Sequence, residues 1–69
     1  MPYVNIKVLR GLLDEKQKAQ LIAEVTDSVE RVCAVPNPAF RDGIWVLLEE
    51  IQDGHWGVGG RQASPPKRD

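Results

Sequence analysis

Hydrophobic and polar residues alternate near the start of the chain. Within residues 2–9 the β-branched residues occupy every second position, namely Val4, Ile6 and Val8. The positions between them are taken by Tyr3, Asn5 and Lys7. A period of two with β-branched residues predicts a strand with one buried face, which Gly11 ends.

The next segment carries apolar residues at helical spacing. Asp14 is a typical N-cap residue, and Gln17, three positions later, completes a capping-box pattern. The apolar face contains Leu21, Ile22, Val25, Val29, Val32 and Cys33. The opposite face contains Lys18, Gln20, Glu24, Asp27, Glu30 and Arg31. The pattern predicts an amphipathic helix of roughly 20 residues that ends before Pro36, with Cys33 in the core.

Three further segments follow the predicted helix. Residues 37–43 are rich in turn-forming residues and predict a loop. Residues 44–51 are apolar on both faces and predict a strand that is covered on both sides. Four glycines within residues 54–60 predict a short hairpin or a bulged ribbon.

The order of these elements defines a fold class. Strand, helix and strand predict an α/β (α+β) fold, a single βαβ unit with parallel strands, followed by a short C-terminal hairpin. We expect one domain over residues 1–62 and a flexible tail over residues 63–69. Two strands and one helix bury too little apolar surface for independent stability, so we expect the chain to assemble as an oligomer through its sheet.

Composition narrows the classes of function. A formal net charge of −1 and a pI near 5.7 argue against binding to nucleic acid or to an anionic membrane surface. The single cysteine excludes an intramolecular disulfide and a Cys-rich zinc site, and the single histidine removes most other metal sites, so we expect no metal. No apolar run approaches a membrane span and no signal-peptide pattern is present, which predicts a cytoplasmic protein.

These features together resemble the 4-oxalocrotonate tautomerase family. The resemblance runs from Pro2 to about Ser64 and includes the βαβ order and the Gly-rich segment at 54–60. Its shorter motifs are Gly11, Asp14-Glu15, Gln17-Lys18, Leu21-Ile22 and Glu24-Val25. The resemblance implies a compact subunit in a hexamer, usually a trimer of dimers. It also implies an enzyme that moves protons between enol and keto tautomers without a cofactor.

The resemblance makes Pro2 the candidate general base and acid. Removal of Met1 would leave Pro2 with a free secondary amine. An ordinary α-amino group titrates near ~7.7–8.0, and an apolar pocket or nearby cations lower that pKa. A neutral amine can take a proton from carbon and return it elsewhere, whereas an amide nitrogen, with Met1 retained, cannot. The simpler alternative is that Pro2 only begins an edge strand.

The chain departs from the family pattern at two arginine positions. Leu12 follows Gly11 where the family usually has arginine, and Trp45 occupies the second position. The family's arginines bind the substrate's carboxylate and polarise its carbonyl. The candidate replacements, each with an exposed surface arginine as the simpler interpretation, are Arg10, Arg41 and Arg61.

Aromatic and acidic residues complete the candidate site. Trp56 aligns with the family's pocket aromatic, with packing at a subunit interface as the alternative. Trp45 either makes the pocket more apolar, favouring an aromatic or monoacid substrate, or fills the interface. Glu49 and Glu50 are candidates to orient water or substrate, as in hydrating relatives, with a solvated strand end as the simpler interpretation. His55 is predicted to be structural.

The leading hypothesis is a cofactor-independent keto-enol tautomerase, an isomerase acting on a small enol or 2-oxo acid. Pro2 would move the proton, Arg10 and Arg41 would bind the carboxylate, and Trp45 and Trp56 would wall the pocket. The expected partners are a small carbonyl or carboxylate substrate and further copies of the chain in a homohexamer, with a hetero-oligomer as the alternative. Two other functions stay open: a hydratase, dehalogenase or decarboxylase of the same fold, and a non-catalytic partner subunit.

Overall fold

The computed structural model describes residues 2–66 of the chain. The elements follow in the order β1 (Tyr3–Leu9), α1 (Glu15–Cys33), a 3-10 helix (Pro38–Gly43), β2 (Trp45–Ile51), β3 (Gly57–Val58) and β4 (Arg61–Gln62). Strands β1 and β2 pair in parallel, and β3 and β4 form an antiparallel hairpin. The predicted βαβ unit and its C-terminal hairpin are therefore confirmed.

Helix α1 begins at the predicted capping box. The Gln17 N–H donates to Asp14 Oδ1 over 2.8 Å, and the Asp14 N–H donates to Gln17 Oε1 over 3.0 Å. The helix ends at Ala34, which has a left-handed φ of 51° and donates its N–H to the Glu30 carbonyl oxygen. Both ends therefore satisfy main-chain groups that a helix otherwise leaves unpaired.

The sheet has one covered face and one open face. Lys18 of α1 pairs with Glu50 over 3.1 Å, so α1 packs on the face that carries Glu50 and, by alternation, Val46 and Leu48. On the other face Trp45 is 59% exposed and Leu47 is 40% exposed. In the single chain the one long helix covers only one face of β2. The cover of the other face, which we expect from further copies of the chain, stays a prediction. The prediction that Lys18 lies on the solvent side of the helix is corrected by its contact with Glu50.

The core is smaller than the helical pattern predicted. Cys33 is exposed rather than buried, and Val32 is 78% exposed. The 19 residues of α1 span about 28 Å, whereas the seven residues of β2 span about 23 Å, so the last helical turn extends past the sheet. Ile44, 8% exposed, is the buried hydrophobic residue within residues 2–66.

Residues 37–43 are more regular than the predicted loop. Asn37 caps a 3-10 helix by accepting the Ala39 N–H at Oδ1 over 3.0 Å, and Pro38 occupies its first position. The Ile44 N–H donates to the Arg41 carbonyl oxygen over 3.1 Å, which closes the last turn. Strand β2 therefore begins at Trp45, one residue later than predicted.

The hairpin turns at two glycines. Gly59 and Gly60 have φ values of 59° and 82°, as a tight two-residue hairpin turn requires. The Ala63 N–H donates to the Trp56 carbonyl oxygen over 2.8 Å, which continues the pairing beyond β4. Of the predicted tail, residues 67–69 lie outside the described part of the chain, as does Met1.

Among residues 2–66, no helix combines the length and the hydrophobicity that crossing a membrane requires. In the same part of the chain, no group of three or more His, Cys, Asp or Glu residues is placed to hold a metal ion.

Candidate active site

A pocket of about 340 Å³ opens at the amino end of the parallel sheet. It is lined by Pro2, Tyr3, Gly43 and Trp45. The Trp45 N–H donates to the Pro2 carbonyl oxygen over 3.1 Å, which extends the pairing of the strands to Pro2. This main-chain hydrogen bond thus holds Pro2, the candidate catalytic residue, against β2.

Two aromatic side chains flank Pro2. Tyr3 and Trp45 are partners in the register of β1 and β2, and they are 60% and 59% exposed. No residue of the pocket lining carries a charge, and Pro2 itself is half-buried. An amine at this position would therefore meet apolar groups, which disfavour its charged form.

Arg41 faces the helix rather than the pocket. Its Nη1 lies 2.8 Å from Asp27 Oδ1 and 2.8 Å from Glu30 Oε1, two carboxylates three residues apart on α1. The hydrogen bonds that the guanidinium donates, first to Asp27 and then to Glu30, raise its pKa above its ordinary value. Within one chain Arg41 is a link between α1 and the 3-10 helix.

The other two arginines also lie outside the pocket lining. Arg10 follows the last residue of β1, so its main chain lies about 26 Å from Pro2 along the strand. Its N–H donates to the Ile51 carbonyl oxygen over 2.8 Å, and the residue is exposed. Arg61 is exposed on β4. Within one chain, Arg10 cannot reach a substrate bound at Pro2.

Of the predicted site residues, the structure brings Trp45 and Pro2 together in one pocket. Trp56 is half-buried ahead of β3 and lies outside the pocket lining, as do Arg10 and Arg41. The predicted roles of Trp56, Arg10 and Arg41 in binding a substrate stay predictions. The sequence interpretation missed Tyr3 and Gly43 as lining residues. Tyr3 adjoins Pro2 in sequence, but its proximity to Trp45 follows only from the register of the sheet.

The acidic candidates are engaged in ion pairs outside the pocket lining. Glu49 Oε1 accepts from Lys7 Nζ over 2.8 Å and from Asn5 Nδ2 over 2.7 Å on the open face of the sheet. These two partners, Lys7 first, lower the pKa of Glu49. A carboxylate with a lowered pKa is a weaker base, which makes Glu49 poorly suited to activate water.

Sequence comparison identifies the class to which this fold and pocket belong. The family model described as "Tautomerase enzyme" matches residues 2–64. Probable tautomerase SAV1363 of Staphylococcus aureus (strain Mu50 / ATCC 700699) is 44% identical over 64 residues, covering 93% of this chain and 97% of that protein. Probable tautomerase SH1546 of Staphylococcus haemolyticus (strain JCSC1435) is 42% identical, covering 93% and 95%. The chain belongs to the tautomerase family.

Comparison with solved structures shows which members of the tautomerase family share this fold. The crystal structure of YwhB, a homologue of 4-oxalocrotonate tautomerase, superposes with a TM-score of 0.75 at 31% identity, covering 88% of this chain and 92% of YwhB. The crystal structure of apo unFused 4-OT superposes with a TM-score of 0.76 at 32% identity, covering 91% and 100%. The resemblance to 4-oxalocrotonate tautomerases and the predicted fold class are both confirmed.

Proposed function

We propose that this protein is a cofactor-independent tautomerase that interconverts the enol and keto forms of a small 2-oxo acid, with the Pro2 amine as general base and acid. One observation carries the proposal. In a chain of the tautomerase family, Pro2 is half-buried in a pocket that it shares with Tyr3, Gly43 and Trp45.

The chemistry requires Pro2 to become the first residue of the mature chain. Its secondary amine would then lie among apolar groups, which lower its pKa below the ordinary range of ~7.7–8.0. The neutral amine takes a proton from the carbon next to the substrate's carbonyl, and the C–H electron pair forms the C=C bond. The protonated amine then gives a proton to the carbonyl oxygen, which becomes the enol hydroxyl. In the reverse direction the amine takes the enol proton and returns a proton to that carbon.

The lining of the pocket supports a class of substrate. Two aromatic side chains and no charged group favour a 2-oxo acid with one carboxylate and an aromatic or other apolar side chain. A second carboxylate would find no cation among the lining residues. We therefore expect an aryl 2-oxo acid to be a better substrate than a dicarboxylate.

The single carboxylate of such a 2-oxo acid needs a cation to bind it, and the single chain places no cation among the residues that line the pocket with Pro2. Arg41 is held by two carboxylates, and Arg10 lies at the far end of β1. A second copy of the chain would supply the cation, with Arg10 as the candidate. The open face with Trp45 and Leu47 supports assembly with further copies, for which we propose a homohexamer, with a hetero-oligomer as the alternative.

Hydratase, dehalogenase and decarboxylase activities are less well supported. The hydrating reactions need a carboxylate that activates water near the amine. Glu49 is engaged by Lys7, and Glu50 is engaged by Lys18. Neither carboxylate lines the pocket with Pro2.

The test is a kinetic screen of the purified protein after intact-mass measurement has shown that Met1 is removed. Phenylpyruvate enol and 2-hydroxymuconate, which is itself an enol, are followed by the loss of enol absorbance, with Pro2→Ala as the control. We expect turnover of phenylpyruvate enol in the wild type and loss of at least ~100-fold in Pro2→Ala. Equal activity in the two proteins would overturn the role of Pro2. An inactive processed protein that gains activity with another subunit would establish the non-catalytic alternative.

A further inference from the structure

A continuous set of contacts leads from helix α1 to the Pro2 pocket. The Arg41 side chain contacts Asp27 and Glu30, each over 2.8 Å, and the Arg41 carbonyl oxygen accepts the Ile44 N–H over 3.1 Å. Gly43, between Arg41 and Ile44, lines the pocket. One arginine therefore connects the helix surface to the segment that forms the pocket wall.

The same segment holds Pro2. Ile44 is the buried residue that anchors the end of the 3-10 helix, and the next residue, Trp45, donates its N–H to the Pro2 carbonyl oxygen. A displacement of the 3-10 helix would therefore move Gly43 and Trp45 together, and both line the pocket.

We propose that Arg41 is a positioning residue for the active site, which acts by holding the 3-10 helix against Asp27 and Glu30. This inference rests on the proposed function and deepens it. Arg41 is not among the residues that line the pocket with Pro2, so its effect on the reaction passes through Gly43 and Trp45.

The 3-10 helix needs such an anchor. Helices of this type have poorer hydrogen-bond geometry than α-helices. Residues 34–39, which lead into and begin it, are all exposed, so little apolar burial restrains the segment before Phe40. The ion pairs of Arg41 are lateral contacts that attach it to α1.

The charges of the cluster argue against direct binding of a substrate anion by Arg41. One guanidinium faces two carboxylates, so the cluster of Arg41, Asp27 and Glu30 carries a net negative charge. An incoming carboxylate would have to displace these partners and would meet like charge. The positioning role and the substrate-binding role therefore predict opposite effects when the two acids are neutralised.

The experiment compares Arg41→Ala with the double variant Asp27→Asn/Glu30→Gln, which leaves the arginine in place. Both should lower kcat for phenylpyruvate enol by about fivefold or more, with KM changed less than about twofold. Both should also move the acid limb of the pH profile of kcat/KM to higher pH. A displaced pocket wall admits water to the Pro2 amine, and water favours the charged form and raises the pKa of the amine. Arg41→Lys, which keeps the charge, should recover part of the loss.

Lys18→Ala is the matched control, since Lys18 also pairs with two carboxylates, Glu15 of α1 and Glu50 of β2, and none of these three residues lines the pocket. It should leave kcat and the pH profile unchanged. A rise in KM for Arg41→Ala together with unchanged or lower KM for Asp27→Asn/Glu30→Gln would overturn the proposal and assign Arg41 to substrate binding. If Lys18→Ala lost as much activity as Arg41→Ala, the positioning role would be overturned, because general destabilisation of the fold would then explain both losses.

A spectroscopic measurement keeps this test independent of the proposed function. In a Trp56→Phe background the fluorescence reports Trp45 alone, because the sequence contains two tryptophans. Arg41→Ala and Asp27→Asn/Glu30→Gln should shift its emission maximum equally, and Lys18→Ala should not. An unchanged emission in all three variants would overturn the positioning role, whatever Pro2→Ala shows about catalysis.

Discussion

Trp45 donates its main-chain N–H to the Pro2 carbonyl oxygen over 3.1 Å, and the same residue lines the pocket that contains Pro2. The main chain of Trp45 therefore holds the candidate base beside β2, and its aromatic side chain adds no charge to the pocket lining. Because a substitution of the side chain leaves the N–H in place, these two contributions can be separated experimentally.

Trp45→Ala should lower kcat/KM for phenylpyruvate enol by about tenfold or more, since the ring supplies apolar contact to an aryl substrate. The loss should be smaller for pyruvate enol, which has no aromatic ring. Steady-state kinetics with both substrates measures the difference. Val58→Ala is the control, because Val58 is a 62% exposed hydrophobic residue in the hairpin, outside the pocket lining. Equal losses for both substrates would show that Trp45 does not select the side chain.

A mixture of Pro2→Ala and Arg10→Ala chains should be more active than either variant alone. Arg10 lies about 26 Å from Pro2 along β1, so a site that uses both residues must take them from different copies. In a mixed oligomer some sites combine an intact Pro2 with an intact Arg10. The measurement is the activity after joint unfolding and refolding, with each variant refolded by itself as the control. Full activity of Arg10→Ala alone would remove Arg10 from the substrate-binding residues.

Protonation of Glu49 should contribute to the fall in the free energy of unfolding at acid pH. Lys7 and then Asn5 lower the pKa of this carboxyl from its ordinary value of 4.5. A group whose pKa is lower in the folded state stabilises the fold above its unfolded pKa, and this contribution is lost as pH falls through the folded pKa. Urea unfolding between pH 7 and pH 3 should therefore show a weaker acid dependence in Glu49→Gln. Glu24→Gln, which removes an exposed carboxyl from α1, is the matched control, and an acid dependence in Glu49→Gln identical to wild type would contradict the assignment.

Asp14→Ala should destabilise the fold by about 1 kcal/mol, because it removes the acceptor for the Gln17 N–H at the start of α1. The free energy of unfolding in urea measures the loss. Ser28→Ala, at an exposed position in the middle of the helix, should change stability much less. A smaller loss in Asp14→Ala than in Ser28→Ala would show that the cap does not stabilise the helix.

Local signals predicted most of the fold. Asp14 and Gln17 form the capping box that their spacing indicates, and Gly59 and Gly60 make the predicted hairpin turn. These features depend on main-chain and side-chain contacts between residues a few positions apart. The family motifs, distributed from Pro2 to the Gly-rich segment, likewise indicated the tautomerase family that the comparisons confirm.

The arrangement of the site depends on contacts that are distant in sequence. Asp27 and Glu30 belong to the polar face that the helical pattern predicts, yet no pattern indicates that both contact Arg41. Cys33 fits the apolar stripe but is exposed, because the length of the sheet decides which helical turns are covered. Both outcomes are set by how α1 lies on the sheet.

The sequence by itself determined the long helix, the paired strands, the hairpin and their order, because hydrophobic period, capping residues and turn glycines act over a few positions. The family resemblance, rather than any of these local patterns, made Pro2 the candidate base. Only the tertiary structure decided that Tyr3 stands opposite Trp45 beside Pro2, and that Arg41 turns toward α1. Strand register and the choice of ion-pair partner are settled when the whole chain packs, since each depends on distances between residues that the sequence separates.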